Sequence, residues 1–501
     1  MLEEGMISAA EARFERARGA AGLVFGPLLF AAVLLFPFGG LEGPARRLAA
    51  VLTLAIVFWV TEAIPLPATA LLAPALAVVL GVAPAKEALA PFGDPLLFLF
   101  VGSFLIAAAM SHHGLDRRLA VLILSRRAIG ESPARILIAF GVISAAISMW
   151  ISNTATAAMM LPVAVGVLRA LASAPETSAA RAGGSRYATG LMLTISFGAS
   201  IGGIGTPVGT PPNIIGIGMI ERLAGRRITF FEWTAFGTPI LLVILPLMLA
   251  MLVLLHPAPR GSLRGAAEYF AAERRRLGSW SRGEAASAAA FLLAVALWVA
   301  PGLTGLALGA EAQAARLLAE RLPEGPVALL AASLLFFIPT DWPRRRFALD
   351  WKIAARIDWG TVMLFGGGMA LGSMMFSSGL AQALGDRVVG LNSSWSAGGF
   401  LALAILAGVL VSEATSNTAS ASMVIPVVIA VARTRGLDPV LPALGACLGS
   451  SFGFALPVST APNALAYGTG FVPITRMLRA GLLLDLIGTV IIWVMLMLLR
   501  P

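Results

Sequence analysis

A single cysteine, Cys447, stands in a chain of 501 residues, so no disulfide framework forms within it. Charge is scarce too: Asp, Glu, Lys and Arg make up 12% of residues against 58% hydrophobic, and the mean hydropathy is +0.88. A soluble globule needs more polar surface than this, so composition excludes one and leaves an integral membrane protein. No CxxC, HExxH or Walker-type loop occurs. Of the three histidines, His112 and His113 are adjacent at the end of an apolar run. With no Cys or carboxylate cluster beside them they read as interfacial rather than metal-binding. The charged opening "MLEEGMISAAEARFERARGA" lacks a cleavable signal's arrangement, so residues 1–19 are expected to be a cytoplasmic segment ahead of a retained span. The formal charge of +10 resides in arginines dispersed through short loops, which fits the positive-inside rule and not nucleic-acid binding.

What the chain has in abundance is apolar runs of about 20 residues, the length that crosses roughly 30 Å of hydrocarbon. Spans are expected near 20–37, 45–64, 66–82, 95–114, 187–222, 236–256, 286–302, 326–339, 360–380, 439–468 and 480–499. The expected fold is therefore an all-α polytopic membrane protein with eleven transmembrane helices. Two further segments, 134–172 and 396–434, need separate treatment.

Segment 134–172 holds "SMWISNTATAAMMLPV" (148–163), three consecutive hydrogen-bonding residues in a greasy context. As one helix it would stretch roughly 57 Å, about twice the hydrocarbon thickness, which excludes a single span. Arg126, Arg127 and Arg135 precede it and Arg169, Arg181 and Arg186 follow, so both ends belong on the cytoplasmic side. Its one polar turn, Ser152-Asn153-Thr154, carries no charge, which suggests a re-entrant helical hairpin whose tip stops inside the membrane. Two complete spans with a tight turn at the far interface are the alternative.

Internal symmetry bears on that choice. "SEATSNTASASMVIPV" (412–427) repeats the first motif at nine of sixteen positions. "FLFVGSFLIAAAMSHHGL" (98–115) aligns with "MLFGGGMALGSMMFSSGL" (363–380) at almost the same offset, and "SIGGIGTPVGTPPN" (200–213) matches "SSFGFALPVSTAPN" (450–463). An odd number of spans per unit would insert the copies with opposite orientation, giving inverted repeats: 20–256, a cytoplasmic amphipathic linker 257–285, then 286–501. The loops 116–135, 257–284 and 341–356 fit the cytoplasmic side, whereas Arg222, Arg226 and Arg227 fall on the outer side against the rule. The N-terminus is then cytoplasmic and the C-terminus outside, in a cell inner (plasma) membrane.

In the third pair, Pro207, Pro211 and Pro212, and again Pro457 and Pro462, lack the amide hydrogen a helix needs, so helices 187–222 and 439–468 should break there. Freed carbonyls with Ser and Asn oxygens suit a small alkali cation, and helix N-termini suit an anion. A lone SNT is commonly a helix-packing or backbone-bonding feature. Two symmetric copies, each upstream of a Pro-broken span, read instead as a binding site. "FGGGM" (365–369) reads as close helix packing, and Glu62 as structural near an interface.

The paired SNT motifs, "TPPN", "TEAIPLPATALL" (61–72) and "FGDPLLFLFVGSFLIA" (92–107) resemble the divalent anion:sodium symporter family, the INDY-type dicarboxylate transporters. The resemblance spans nearly the whole chain. It implies two re-entrant hairpins, a scaffold domain that forms a homodimer, and a transport domain that shifts like an elevator. Carried over, a first sodium site would use Ser148, Ser152, Asn153 and the backbone near Gly209; Ser148 and Ser152, four apart, share a helix face. A second would use Ser412, Thr415, Asn417 and the backbone near Ser459. The substrate's carboxylates would meet Asn153, Thr154, Asn417 and Thr418, with Thr210 and Thr460 nearby. Ser412 and Thr415 stand where Thr and Ala are frequent, and Ala461 replaces the first proline of the second TPPN, departures that bear on the second cation site.

Neither tip contains Arg or Lys, so a buried dianion would need mobile cations as countercharge, which favours obligatory coupling. Glu413, the one charge in a hairpin, is open to a proton-relay role or to hydrogen bonds with neighbouring backbone. The expected activity is sodium-driven symport of C4 dicarboxylates such as succinate, malate or fumarate, with no organic cofactor. A dicarboxylate exchanger and a non-transporting anion receptor are the alternatives. An enzyme is not expected, since no nucleophile–base pair or metal cluster accompanies the tips. Citrate, sulfate and C4 acids are not separable from sequence.

Overall fold

The computed structural model describes residues 9–36, 40–126, 129, 132–172, 186–258, 264–309, 311–391 and 396–500. Arg127, Arg181 and residues 1–8 of the N-terminal segment, for which expectations were stated, lie outside these. The first half runs α1 (Ala9–Leu35), α2 (Gly43–Thr61), α3 (Leu66–Val79), α4 (Pro95–His113), α5 (Leu115–Leu124), α6 (Pro133–Ser148), α7 (Asn153–Ala172), α8 (Arg186–Gly202), α9 (Pro211–Ala224) and α10 (Phe230–Leu255). After α11 (Arg264–Leu277) the second half follows: α12 (Arg282–Leu308), α13 (Glu324–Leu334), α14 (Trp359–Ser377), α15 (Leu380–Leu391), α16 (Ala397–Ala414), α17 (Asn417–Thr434), α18 (Val440–Gly449), α19 (Ala461–Gly468) and α20 (Ile474–Leu499). A small antiparallel pair, Pro339–Asp341 with Arg346–Phe347, is the described β-structure.

Ten helices among the described residues are long and apolar enough to cross a membrane, including both arms of the second hairpin. Three expected spans fall short of that length. Near 439–468 the helix covers the 10 residues Val440–Gly449 before the break. Near 66–82 the helix covers 14 residues and ends at Val79, two residues before Gly81, whose φ of +67° is left-handed; near 326–339 it covers 11 residues before tight turns lead into the β-pair. Apolar composition marked these last two segments, but the turn residues that shorten them carry no charge to show where they end. α1 also begins earlier than expected, at Ala9, because its charged turns pair off: Arg18 reaches Glu15 at 2.6 Å and Glu62 at 3.2 Å. Glu62, in the left-handed C-cap of α2, is thus tied to α1 through Arg18.

Glycines let the central helices approach until backbones touch. A Cβ at Gly198 would lie 2.9 Å from Gly141 O, and Gly202 would press into the Ala145 backbone; in the other half Gly449 abuts Ile405 and Gly408 abuts Ala446. These contacts clamp each hairpin to its neighbouring broken helix. In the FGGGM run, Gly366 meets Phe92 and Gly367 meets Ala70, so that run packs helices as expected.

Charges gather at the two ends. At one end Arg118, 5% exposed, donates to Glu284 Oε1 at 2.5 Å and to the carbonyls of Leu277, Gly278 and Ser279, tying α5 to the start of α12. His113 there contacts Ala348 O at 2.7 Å, joining the end of α4 to the segment before α14. At the other end Arg226 pairs with Glu232 at 3.2 Å and Arg227 with Glu324 at 2.9 Å. Those pairs neutralise two of the three arginines that broke the loop-charge pattern.

His256 follows α10 at the arginine-rich end. Burial, with Arg476 and Arg186 beside it, pushes its pKa down to about 4. The sign follows: the folded state keeps it neutral while the unfolded chain protonates near 6.5, so stability is full above that value and falls as pH drops from about 6.5 to 4. The loss approaches about 3 kcal/mol at the lower limit. Thermal melts of the purified protein at pH 7.5 and 5 should show a Tm drop that is smaller in His256→Asn; equal drops would contradict it.

Candidate functional site

Four helices begin at the turns the motifs mark: α7 and α17 at the two hairpin tips, α9 and α19 after the two breaks. The first turn of each leaves backbone N–H groups without helical acceptors and carries the positive end of the helix dipole. The sequence enforces the starts. Ser152 and Ser416 cap α7 and α17, accepting from the amides of Ala155 at 3.3 Å and Ala419 at 3.2 Å. Thr460 caps α19 through the amide of Asn463 at 3.3 Å. Thr210, at the matching position of α9, makes no such bond, which leaves its hydroxyl for a ligand.

The breaks are held open by two asparagines. Fully buried Asn213 donates from Nδ2 to Gly203 O at 2.8 Å and Thr206 O at 2.7 Å. Asn463 repeats this on Gly453 O and Leu456 O, both at 3.0 Å. The carbonyls that unwinding frees are thus satisfied without rewinding the helix. These asparagines end the TPPN and TAPN motifs; the motif was legible, this role was not.

In the first tip, buried Ser148 donates to Asn153 Oδ1 at 2.6 Å, and Thr206 donates to Met149 O, fastening tip to break. A Cβ added to Gly203 would sit 2.6 Å from Asn153 Oδ1, 3.0 Å from Thr210 Cβ and 3.2 Å from Gly209 O. Ser148, Asn153, Gly209 and Thr210 therefore surround one point of backbone, with Ser152 one residue from Asn153. Thr154 is exposed on the same turn.

The second tip repeats the pattern. Ser412 donates to Asn417 Oδ1 at 2.7 Å and lies 2.9 Å from Ser450 O; Asn417 Nδ2 reaches Ser451 O at 3.4 Å. Gly453 is where a Cβ would meet Ser412 Oγ at 3.0 Å and Ser459 Cβ at 3.1 Å. Thr415 donates to Val411 O at 2.8 Å, so it has oxygen lone pairs to offer but no proton. Ser416, not Thr415, is the counterpart of Ser152, a parallel the aligned motifs display. Thr418 is partly exposed. Glu413 accepts from Ala455 N at 2.8 Å and from Ser459 Oγ at 2.8 Å, the backbone-bonded alternative among those expected.

The two halves interlock at these points. α9 packs on α17 and α18, and α19 packs on α7 and α8. Cys447 Sγ lies 3.0 Å from Pro212 O, Ser196 donates to Asn463 Oδ1 at 2.7 Å, and Phe197 meets Phe454 edge-on at 5.0 Å. Each break thus rests against the other half's hairpin. Chemically the centre offers neutral hard oxygens for a small cation and helix amides for an anion. Among the described residues no group of three His, Cys, Asp or Glu could hold a transition metal.

The sequence pattern of the sodium:sulfate symporter transmembrane region matches residues 20–499. A sodium-dependent dicarboxylate transporter of Staphylococcus saprophyticus, SdcS, is 31% identical over 474 residues, covering 94% of this chain and 89% of that protein. SdcS of Staphylococcus aureus is 32% identical over 484 residues with the same coverage. Among solved structures the YdaH transporter of Alcanivorax borkumensis superposes with a TM-score of 0.53 over 90% of this chain and 98% of that one, at 17% identity, a likeness of fold. The chain belongs to the sodium:sulfate symporter family, the divalent anion:sodium symporters that its motifs resemble, and is a multi-pass membrane transporter.

Proposed function

We propose that this protein couples the inward movement of sodium to that of a C4 dicarboxylate such as succinate, malate or fumarate. The observation that carries the reading is the duplicated tip: a Ser–Asn pair beside an unwound backbone in each half, without Arg or Lys, at the start of four helices. Such a centre has amide and hydroxyl donors for two carboxylates but no fixed cation. A dianion in low dielectric without countercharge would cost many kcal/mol, so sodium must enter with it. The names of the 31–32% identical relatives agree with this choice of ion and anion.

In this reading one sodium ion is held by Ser148, Ser152, Asn153 and the Gly209 backbone, and another by Ser412, Thr415, Asn417 and the Ser459 backbone. Asn153, Thr154, Thr210, Asn417, Thr418 and Thr460 bind the substrate. The hairpins stop within the membrane, halves 20–256 and 286–501 are inverted repeats, and the N-terminus is cytoplasmic. A homodimeric scaffold carries a transport domain that moves as an elevator.

Proteoliposomes without internal substrate test the coupling. Uptake of labelled succinate is expected only under an inward sodium gradient, with little when potassium replaces sodium. Uptake that needs internal dicarboxylate and ignores sodium would make the protein an exchanger. Saturable binding without flux would make it a receptor.

A further inference from the structure

The two halves differ in kind at one place. In the first, a Cβ placed at Gly205 would meet Leu241 Cδ2 at 2.9 Å and Met149 Cε at 3.0 Å, so an apolar pair fills the space between tip, break and α10. The counterparts of Gly205 and Met149 are Ala455 and Glu413. The counterpart of Leu241 is Asp485. Gly237 abuts Ile204 in the first half and Gly481 abuts Phe454 in the second, and each glycine precedes the residue in question by one helical turn. A methionine–leucine contact has become two carboxylates.

Glu413 has donors in Ala455 N and Ser459 Oγ. Asp485 has none. It is 5% exposed, and neither of its carboxylate oxygens meets a donor at hydrogen-bonding geometry. Its polar neighbours among the described residues are the Glu413 carboxyl and the Phe454 backbone, with no Arg, Lys or His. The fold does not require this, because the first half makes the same junction from apolar side chains. Two facing carboxylates, Asp485 buried and Glu413 half-buried, repel each other and lose hydration unless a proton or a metal cation joins them.

We propose that Glu413 and Asp485 form a further alkali-cation site, for sodium, present only in the second half. It is separate from the pair of sites at the tips and rests on the sodium-coupled reading given above. The free oxygens of Asp485 and the second lone pairs of Glu413 supply hard anionic ligands at the junction of α16, α20 and the second break. The cation bound there offsets one of the two carboxylate charges, whereas those at the tips offset the substrate.

The test uses Asp485→Leu, which recreates the first half's packing, and Asp485→Asn, which keeps the side-chain shape. Equilibrium binding of radiolabelled sodium to purified protein without substrate is expected to fall by about one ion per chain in both variants, because Asp485 supplies the oxygens that no donor in the protein occupies. The ratio of sodium to dicarboxylate moved in proteoliposomes is expected to fall equally. Should the leucine variant fail to fold, the asparagine variant carries the measurement. Unchanged sodium binding in the folded variants overturns the proposal. So does the loss of a transported proton in place of a sodium ion, which would give the pair a shared proton. If the parent protein shows no sodium-driven uptake, the functional reading fails, yet sodium binding without substrate still decides whether Asp485 completes a site.

Discussion

Asn153→Ala and Asn417→Ala are each expected to lower sodium-driven dicarboxylate uptake about 100-fold, with folding intact. Each amide oxygen receives the hydroxyl of a fully buried serine, Ser148 or Ser412. Alanine removes that acceptor and the amide that faces the ligands. At the first tip Ser148 keeps only a long contact to Ile151 O at 3.5 Å, and a buried hydroxyl left so poorly satisfied costs about 1–3 kcal/mol; at the second Ser412 can turn to Ser450 O at 2.9 Å, and the loss is that of a hydrogen bond to a charged group, about 1.5–3 kcal/mol at either tip. The loss at each tip approaches about 3 kcal/mol in the loaded state, or roughly 100-fold. The close helix contacts at Gly198, Gly202, Gly408 and Gly449 involve neither side chain, so size-exclusion profiles should match the parent. Labelled-succinate uptake by the two variants checks this, and near-parental uptake by either would remove that tip from the site.

Gly203→Ala is expected to act almost as strongly, through space and not chemistry. Its new methyl would lie 2.6 Å from Asn153 Oδ1 and 3.2 Å from Gly209 O, while Gly209 itself already rests on the Gly203 backbone. Those neighbours are the tip amide and main chain, which yield poorly. Overpacking of this kind costs about 1–3 kcal/mol. Because the displaced atoms are the proposed sodium ligands, the sodium concentration for half-maximal uptake should rise at least about fivefold. Gly453→Ala meets its nearest atoms at 3.0 and 3.1 Å, so its effect should be smaller. Equal effects, or a larger one at Gly453, would contradict the geometry. A sodium titration of uptake in both variants decides between them.

How much of this was legible beforehand depended on whether a feature leaves a periodic or repeated trace. Apolar runs announced the helices, and the two SNT segments announced the tips, because repetition turns a weak motif into a positional one. Pro207, Pro211 and Pro462 marked the breaks, since a missing amide hydrogen is visible in the sequence itself. What stayed hidden were partnerships across long separations. The clamps made by Asn213 and Asn463 required knowing which carbonyls the break would free. Arg227 looked misplaced until Glu324 was seen beside it. Asp485 drew no notice inside an apolar helix, and its meaning appears only when α20 is laid on α10 and the acid falls where Leu241 stands. The short helices near 66–82 and 326–339 were overestimated for the opposite reason: uncharged turns look like membrane.

The central claim is that the anion is held by neutral donors and balanced by sodium. Equilibrium binding of labelled succinate to the purified protein, with sodium exchanged for potassium at constant ionic strength, tests it most directly. The account predicts saturable binding in sodium that strengthens steeply with its concentration and disappears in potassium. Equal affinity in the two salts would show that the protein itself neutralises the dianion, and would contradict the account.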